Sequence, residues 1–166
     1  MSPDTPADVV TPAQLDDHTR DLEAGALDAP EALKRVWSGL CLARSLGLRL
    51  AQADGTWRRR QGNAESVEHQ LAHDLGTTAT FADTALRLPS DDAPPPLAGD
   101  EVDGAVDALV RFSAAARRRM LATAPLATQW HDERVLRHGS KVIGELAEAW
   151  LGNRGGYRVV RRVEPR

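Results

Sequence analysis

Residues 36–51 are apolar almost all the way round a helix, and this constrains the fold more than any other feature of the chain. At 100° per residue, the leucines, alanine and cysteine of this segment leave no wide polar face. A helix without a polar face is buried among other helices. The segment is too short, and too interrupted by Arg44 and Arg49, to cross a bilayer. The sequence therefore predicts a soluble all-α bundle with this segment, the hub helix, at its centre.

Capping signals place two helices at the start of the chain. Thr11, Pro12 and Gln14 form a T-x-x-Q capping box with proline at the first helical position. The hub helix begins after Asp28 as its N-cap, and Gly25 ends the helix before it. The sequence thus predicts an antiparallel bundle of four to five helices. Apolar periodicity places these helices over residues 12–24, 29–53, 64–88, 101–122 and 126–151, with a basic loop at 56–63.

A proline-rich segment at residues 88–100 is expected to cross from one part of this bundle to another. Three consecutive prolines at 94–96 exclude a helix and favour an extended chain. The segment could instead separate two domains, but neither half would hold a large core alone. We therefore expect one bundle over residues 11–156, with a flexible N-terminal arm at 1–10 and a basic C-terminal tail at 157–166.

Composition limits the class of protein. The 166 residues carry a net charge of −3, so the whole chain is not a polycation. A single cysteine, Cys41, cannot form an internal disulfide, which is typical of a reducing compartment. The N-terminus lacks the basic start and apolar stretch of a signal peptide. We expect a cytoplasmic protein that is not associated with a membrane.

Histidines and one glutamate suggest a metal site. Glu65, His69 and His73 are spaced by four residues, so they share one face of the third predicted helix. His131 and His138 share a face of the fifth, on or beside its buried stripe. If these helices are neighbours, four histidines could converge on one divalent metal. The glutamate of an H-E-x-x-H motif is absent, however, and a solvated face with Glu65 paired to His69 is the simpler interpretation.

Arg44 is the second candidate, because it lies between Leu40 and Leu48 on the apolar hub helix. An arginine there must reach the surface along its stem or meet a carboxylate. We expect that carboxylate to be Glu145 or Glu148 of the fifth helix, or an acid of the first helix. In a functional alternative, the guanidinium binds an anionic ligand inside the bundle.

Arginines cluster at two further places, and a tryptophan adjoins the first cluster. Nucleic-acid binding would need several of these residues on one face. No helix-turn-helix, zinc or RNA-binding motif accompanies them. The same residues could equally contact a protein, since residues 1–32 are acidic and the C-terminal tail is basic. The candidates for contact with nucleic acid or a partner are Trp57, Arg58, Arg59, Arg60, Arg158, Arg161 and Arg162.

No diagnostic catalytic motif is present, so we expect a non-enzymatic helical-bundle protein with an interaction or regulatory role. It would associate through helix faces or through its charged termini, with another protein or with a second copy of itself. The first alternative is a metal-binding bundle protein or enzyme, and the second is a nucleic-acid-binding accessory protein. We expect no cofactor outside the divalent metal of the first alternative. The tryptophans are expected to be packing anchors; they are Trp37, Trp57, Trp130 and Trp150.

Overall fold

The computed structural model describes residues 9–90 and 93–153. Within these two ranges the chain forms five α-helices and no β-strand, which confirms the all-α prediction. None of these helices has the uninterrupted apolar length that a bilayer crossing requires. The predicted C-terminal tail lies outside the described residues. The helices are α1 (Pro12–Glu23), α2 (Ala29–Ala53), α3 (Trp57–Gly76), α4 (Val102–Thr123) and α5 (Trp130–Leu151).

Both predicted N-terminal caps are confirmed. The Thr11 hydroxyl accepts a hydrogen bond from the Gln14 backbone N–H at 3.2 Å, and the Gln14 side chain accepts one from the Thr11 N–H at 3.0 Å. Asp28 accepts from the backbone N–H of Glu31 at 2.9 Å. Gly25 follows α1 with a φ of +68°, a conformation that residues with a side chain rarely adopt. Local sequence therefore sets where the first two helices begin.

The helices α2, α3, α5 and α4 form a four-helix bundle in which each neighbouring pair is antiparallel. The pairing of α4 with α5 includes a hydrogen bond of 2.6 Å that Ser113 donates to the Ile143 carbonyl. Helix α1 packs against α2 and α4. It runs parallel to α4, as two ion pairs show: Asp16 binds Arg111, and Glu23 binds Arg118 about two turns further along both helices.

The hub helix, α2, is buried as predicted. Leu40, Leu46 and Leu50 are fully buried, and they belong to the single large core cluster of the described chain. Two arginines of this helix are buried with them: Arg44 and Arg49 are each 8% exposed. Buried charged side chains need partners from other parts of the chain. The partners of Arg44 define the first candidate site.

Helix α3 begins earlier than the sequence predicts, so residues 56–63 are not a loop. Trp57 is partly buried against the core. The Arg60 guanidinium lies 4.7 Å from the centre of the Trp57 ring and donates a hydrogen bond of 3.1 Å to the Trp150 carbonyl. These contacts tie the first turn of α3 to the end of α5, which favours helix over the predicted loop.

Helix α3 also ends at Gly76 rather than near residue 88. The Thr78 hydroxyl donates to the Leu75 carbonyl at 2.7 Å. Asp132 of α5 accepts a hydrogen bond from the Ala79 backbone N–H at 3.1 Å. Because these side chains satisfy the backbone groups at the helix end, the chain leaves the helix here although its apolar spacing continues.

The proline-rich crossover is confirmed, and its route follows the hub helix. Helices α3 and α4 are both antiparallel to α2, so the chain between them must return along the length of the bundle. Arg44 Nε donates to the Pro89 carbonyl at 2.7 Å, and Arg49 Nε donates to the Pro95 carbonyl at 3.0 Å. The two buried arginines thus hold the crossover against α2.

Candidate functional site

Arg44 lies at the centre of a buried ionic cluster between α2 and α3. One terminal guanidinium nitrogen is 3.3 Å from Glu68 Oε1, and the other is 3.5 Å from Glu65 Oε1. The third nitrogen, Nε, donates to the Pro89 carbonyl. The expectation of a carboxylate partner on the first or fifth helix is wrong, because α3 is the helix that adjoins this side of the hub. Neither Glu145 nor Glu148 contributes the carboxylate.

The charges of this cluster are strongly coupled. Glu68 is 2% exposed, and its burial raises its pKa to about 8 although Arg44 acts in the opposite direction. Burial also raises the pKa of Glu65, but Arg44 and hydrogen bonds from Gln61 and His69 outweigh it, so the pKa lies below its usual value. The guanidinium therefore balances mainly the more exposed carboxylate. Protein atoms contact all three nitrogens of the Arg44 guanidinium. The alternative in which Arg44 binds an anionic ligand stays a prediction.

Cys41 lies one turn before Arg44 on the hub helix. Burial and, secondly, the nearby Glu68 charge raise the pKa of its thiol to about 11. A thiol with so high a pKa is almost entirely protonated at neutral pH, and the thiolate is the reactive form. Cys41 therefore packs as a small apolar residue.

The two histidines of α5 do reach α3, as the metal hypothesis requires, but they meet other partners. His131 Nε2 is 2.9 Å from the Thr77 hydroxyl oxygen. His138 Nε2 is 3.9 Å from Asp74 Oδ2. The His138 side chain is 59% exposed, so of the two predicted positions it lies beside the buried stripe and not on it. Both residues mark contacts between helices near the end of α3.

The predicted ligands on α3 are not assembled into a metal site. Glu65 lies 3.4 Å from His69 Nε2, which is the simpler pairing expected from the sequence, and it also binds Arg44. His73 is exposed on the same helix. Over residues 9–90 and 93–153, no group of three or more His, Cys, Asp or Glu side chains is placed to hold a metal ion. Glu65, His69, His131 and His138 thus contact other side chains in this fold, and His73 is exposed.

The arginine cluster after Trp57 divides into two parts. Arg60 stacks on Trp57 and binds the end of α5, so both side chains hold the bundle together. Arg58 and Arg59 are exposed. The other predicted contacts, Arg158, Arg161 and Arg162, lie outside the described residues. Nucleic-acid binding stays a prediction, and of the residues predicted for it only Arg58 and Arg59 are both described and exposed.

Three exposed apolar side chains near the turn between α4 and α5 are not predicted from the sequence. Trp130 was expected to be a packing anchor, but it is 72% exposed. Leu126 and Leu121 are also exposed, at 61% and 43%. These three residues, the corner patch, comprise three of the four large exposed hydrophobic side chains in the described ranges; the fourth is Leu151. The exposure of Trp130 could have been predicted from the helical wheel of α5, on which Trp130 lies opposite the buried residues of that helix.

The exposed face of α5 continues from the corner patch and changes charge along its length. Arg134, Arg137 and Lys141 are exposed on the first half of this face. Glu145 and Glu148 lie on the second half and are partly exposed. Glu133 holds Arg137 through two hydrogen bonds of 2.8 and 3.0 Å. The helix thus presents a basic half and an acidic half on one side.

Comparisons of the chain with protein-family models, with curated proteins and with solved structures find no match. Function must therefore be inferred from the side chains of this protein. Two features stand out among those described: the buried cluster around Arg44, and the exposed surface formed by the corner patch and α5.

Proposed function

We propose that this protein is a non-enzymatic interaction or regulatory protein that binds other proteins through its exposed helix faces. The corner patch carries this proposal. Large apolar side chains grouped on the surface of a small bundle are typical of association sites. Tryptophan is among the residue types that contribute most to binding energy when a partner covers it. Trp130 has these properties, and Leu121 and Leu126 are also exposed close to the same turn of the chain.

The buried charged side chains hold elements of the bundle together, which supports placing the binding site on the surface. Arg44 binds α3 and the crossover, and Arg49 binds the crossover and the Val10 carbonyl. Asp132 closes the end of α3. Each of these groups joins two elements of the bundle, so the surface is where we place recognition of a partner.

The proposal is tested by chemical cross-linking and mass spectrometry of the tagged protein in the cells that naturally produce it. We expect the L126S/W130A variant to lose cross-links to partner proteins by about tenfold or more, because a truncated anchor residue costs at least about 1.4 kcal/mol of binding energy. Its thermal unfolding temperature should stay within experimental error, since both side chains are exposed in the free protein.

The R58A/R59A variant is the matched control, because it also changes two exposed side chains but on another helix. We expect it to keep the cross-links of the wild type. The same partners at the same yield in L126S/W130A would overturn the proposal. Loss of binding only in R58A/R59A, with recovery of nucleic acid in place of protein, would favour the nucleic-acid alternative.

A further inference from the structure

The exposed face of α5 is complementary to itself when it is reversed. Lys141 lies at the centre of this face. Arg134 precedes Lys141 by seven residues, and Glu148 follows it by seven. Arg137 precedes Lys141 by four residues, and Glu145 follows it by four. At 100° per residue these positions fall within an arc of about 80°, so they share one side of the helix.

We propose that a second copy of this chain docks on this face, with the two α5 helices antiparallel and a twofold axis at Lys141. This arrangement places Arg134 of each copy opposite Glu148 of the other. It also places Arg137 opposite Glu145. Because a twofold interface repeats every contact, the two charge pairs become four. They would lie about 6 and 10 Å from the axis on either side, at 1.5 Å per residue.

The apolar residues at the ends of α5 match in the same register. Trp130 precedes Lys141 by eleven residues, so it meets the last turn of the second copy's helix. Leu151, which is 44% exposed, lies in that turn. Docking would thus cover two of the exposed hydrophobic side chains of the described chain. Lys141 is exposed, and its flexible stem can turn its charge away from the axis.

Charge selects this orientation over the parallel one. A parallel pair of α5 helices would bring Arg134 against Arg134 and Glu148 against Glu148, and like charges at an interface disfavour the wrong arrangement. Arg134 is exposed and has no partner among the residues that the structure describes, so it is available for the pair. A single pair of helices forms a small interface, and we expect a dissociation constant on the order of 10 μM.

This dimer rests on the proposed function, since it names one partner and one face for the same kind of association. Charge-reversal variants measured by sedimentation equilibrium test it. R134E and E148R each create two pairs of like charge, so each variant alone should dimerise about tenfold more weakly than the wild type. An equimolar mixture of the two variants restores opposite charges at every pair. We expect that mixture to form a heterodimer with nearly the affinity of the wild type, and the R134E/E148R double variant to dimerise again.

The R58E variant is the matched control, because it makes the same charge change on an exposed residue outside the α5 face. It should leave the dimerisation constant unchanged. A wild-type protein that stays monomeric at about 100 μM, or a mixture that associates no better than either variant alone, would overturn the dimer. If partner cross-links at the corner patch persist in that case, the proposed function stands without it.

Discussion

At the scale of single residues, the pairing of Arg44 with two carboxylates leaves Glu68 without a full counter-charge. One guanidinium lies between Glu65 and Glu68, and the former is much more exposed. A buried carboxyl group that cannot be fully neutralised by its neighbour keeps its proton, because ionisation in the core is unfavourable. The pKa of about 8 for Glu68 expresses this balance.

The raised pKa of Glu68 predicts that stability falls with rising pH. An unfolded glutamate has a pKa of 4.5, whereas the folded state holds this proton until about 8. The stabilising contribution is therefore complete below pH 4.5 and is lost as the pH rises through 8. Within this window the free energy of unfolding should fall by at most about 1.4 kcal/mol per pH unit. Urea unfolding between pH 5 and 8 measures this slope, and Glu68→Gln should flatten it.

Glu65 supplies the contrasting control for that experiment. Its pKa is lowered in the folded protein, so its contribution is present above the unfolded pKa of 4.5 and is lost only as the pH falls through the folded value. Glu65→Gln should keep a falling free energy of unfolding just above pH 5 but end the fall at a lower pH than in the wild type, because the Glu65 charge also helps to raise the pKa of Glu68. Equal slopes in the wild type and the Glu68→Gln variant would show that Glu68 does not keep its proton.

The sequence identifies the arginine of this cluster but not the helix that carries its carboxylates. Arg44 interrupts an apolar row, so the sequence predicts that it either reaches the surface along its stem or meets a carboxylate. Glu68 also had a visible signal: it is spaced by four, three and seven residues from Ala64, Leu71 and Leu75, all of which are buried. Which helix lies beside Arg44 depends on how the bundle assembles, however, and no local pattern in one chain specifies that.

At the scale of helices, the sequence predicts the five helices and the N-terminal caps of the first two. It does not predict the ends of a helix that are determined by contacts with other helices. The first two helices begin at side-chain caps that lie within four residues, so the sequence predicted them. Helix α3 begins where Arg60 contacts Trp150, and it ends where Asp132 accepts from Ala79. Those contacts span 90 and 53 residues. The apolar period alone therefore places the C-terminus of α3 too late in the chain and its N-terminus also too late.

The space around two glycines predicts opposite effects of their substitution by alanine. A Cβ at Gly47 would lie 2.5 Å from Cζ2 of the rigid, buried Trp150 ring. Gly47→Ala should therefore destabilise the protein by about 1–3 kcal/mol. Gly62 lies inside α3 with no atom within 4 Å of an added Cβ. Gly62→Ala should stabilise by about 0.5–1 kcal/mol, because alanine favours the helix. Chemical denaturation measures both.

The Trp150→Phe variant tests whether Gly47→Ala destabilises the protein through a clash with the Trp150 ring. A smaller ring gives room for the new methyl group, so Gly47→Ala should cost less in the Trp150→Phe background than in the wild type. Strictly additive effects of the two substitutions would mean that the strain arises elsewhere.

At the scale of the whole molecule, the parallel direction of α3 and α4 is what makes the long crossover necessary. Three consecutive prolines predicted its extended form, but its route was not predictable. The route depends on Arg44 and Arg49, whose side chains reach carbonyls 45 and 46 residues away. The arginines that interrupt the apolar pattern of α2 thus add hydrogen bonds to the packing of Leu97 in holding the crossover.

Arg49 should consequently control the order of both the crossover and the start of α1. Its guanidinium donates to the Pro95 carbonyl at 3.0 Å and to the Val10 carbonyl at 2.6 Å. Arg49→Met keeps much of the volume but leaves these carbonyls without their donor, which should destabilise the protein by about 1–3 kcal/mol. The Leu97 backbone N–H, which donates to the Arg49 carbonyl at 3.4 Å, reports locally on the same contact.

Hydrogen exchange resolves whether Arg49 acts on the crossover or on the whole bundle. In Arg49→Met the Leu97 amide should exchange faster by a larger factor than amides in the middle of α5, because local opening adds to global unfolding. The exposed Arg58→Met change should alter neither. Equal acceleration at Leu97 and in α5 would mean that the arginine stabilises the core as a whole. The crossover would then be held by the packing of Leu97, which is 4% exposed, and not by the arginine.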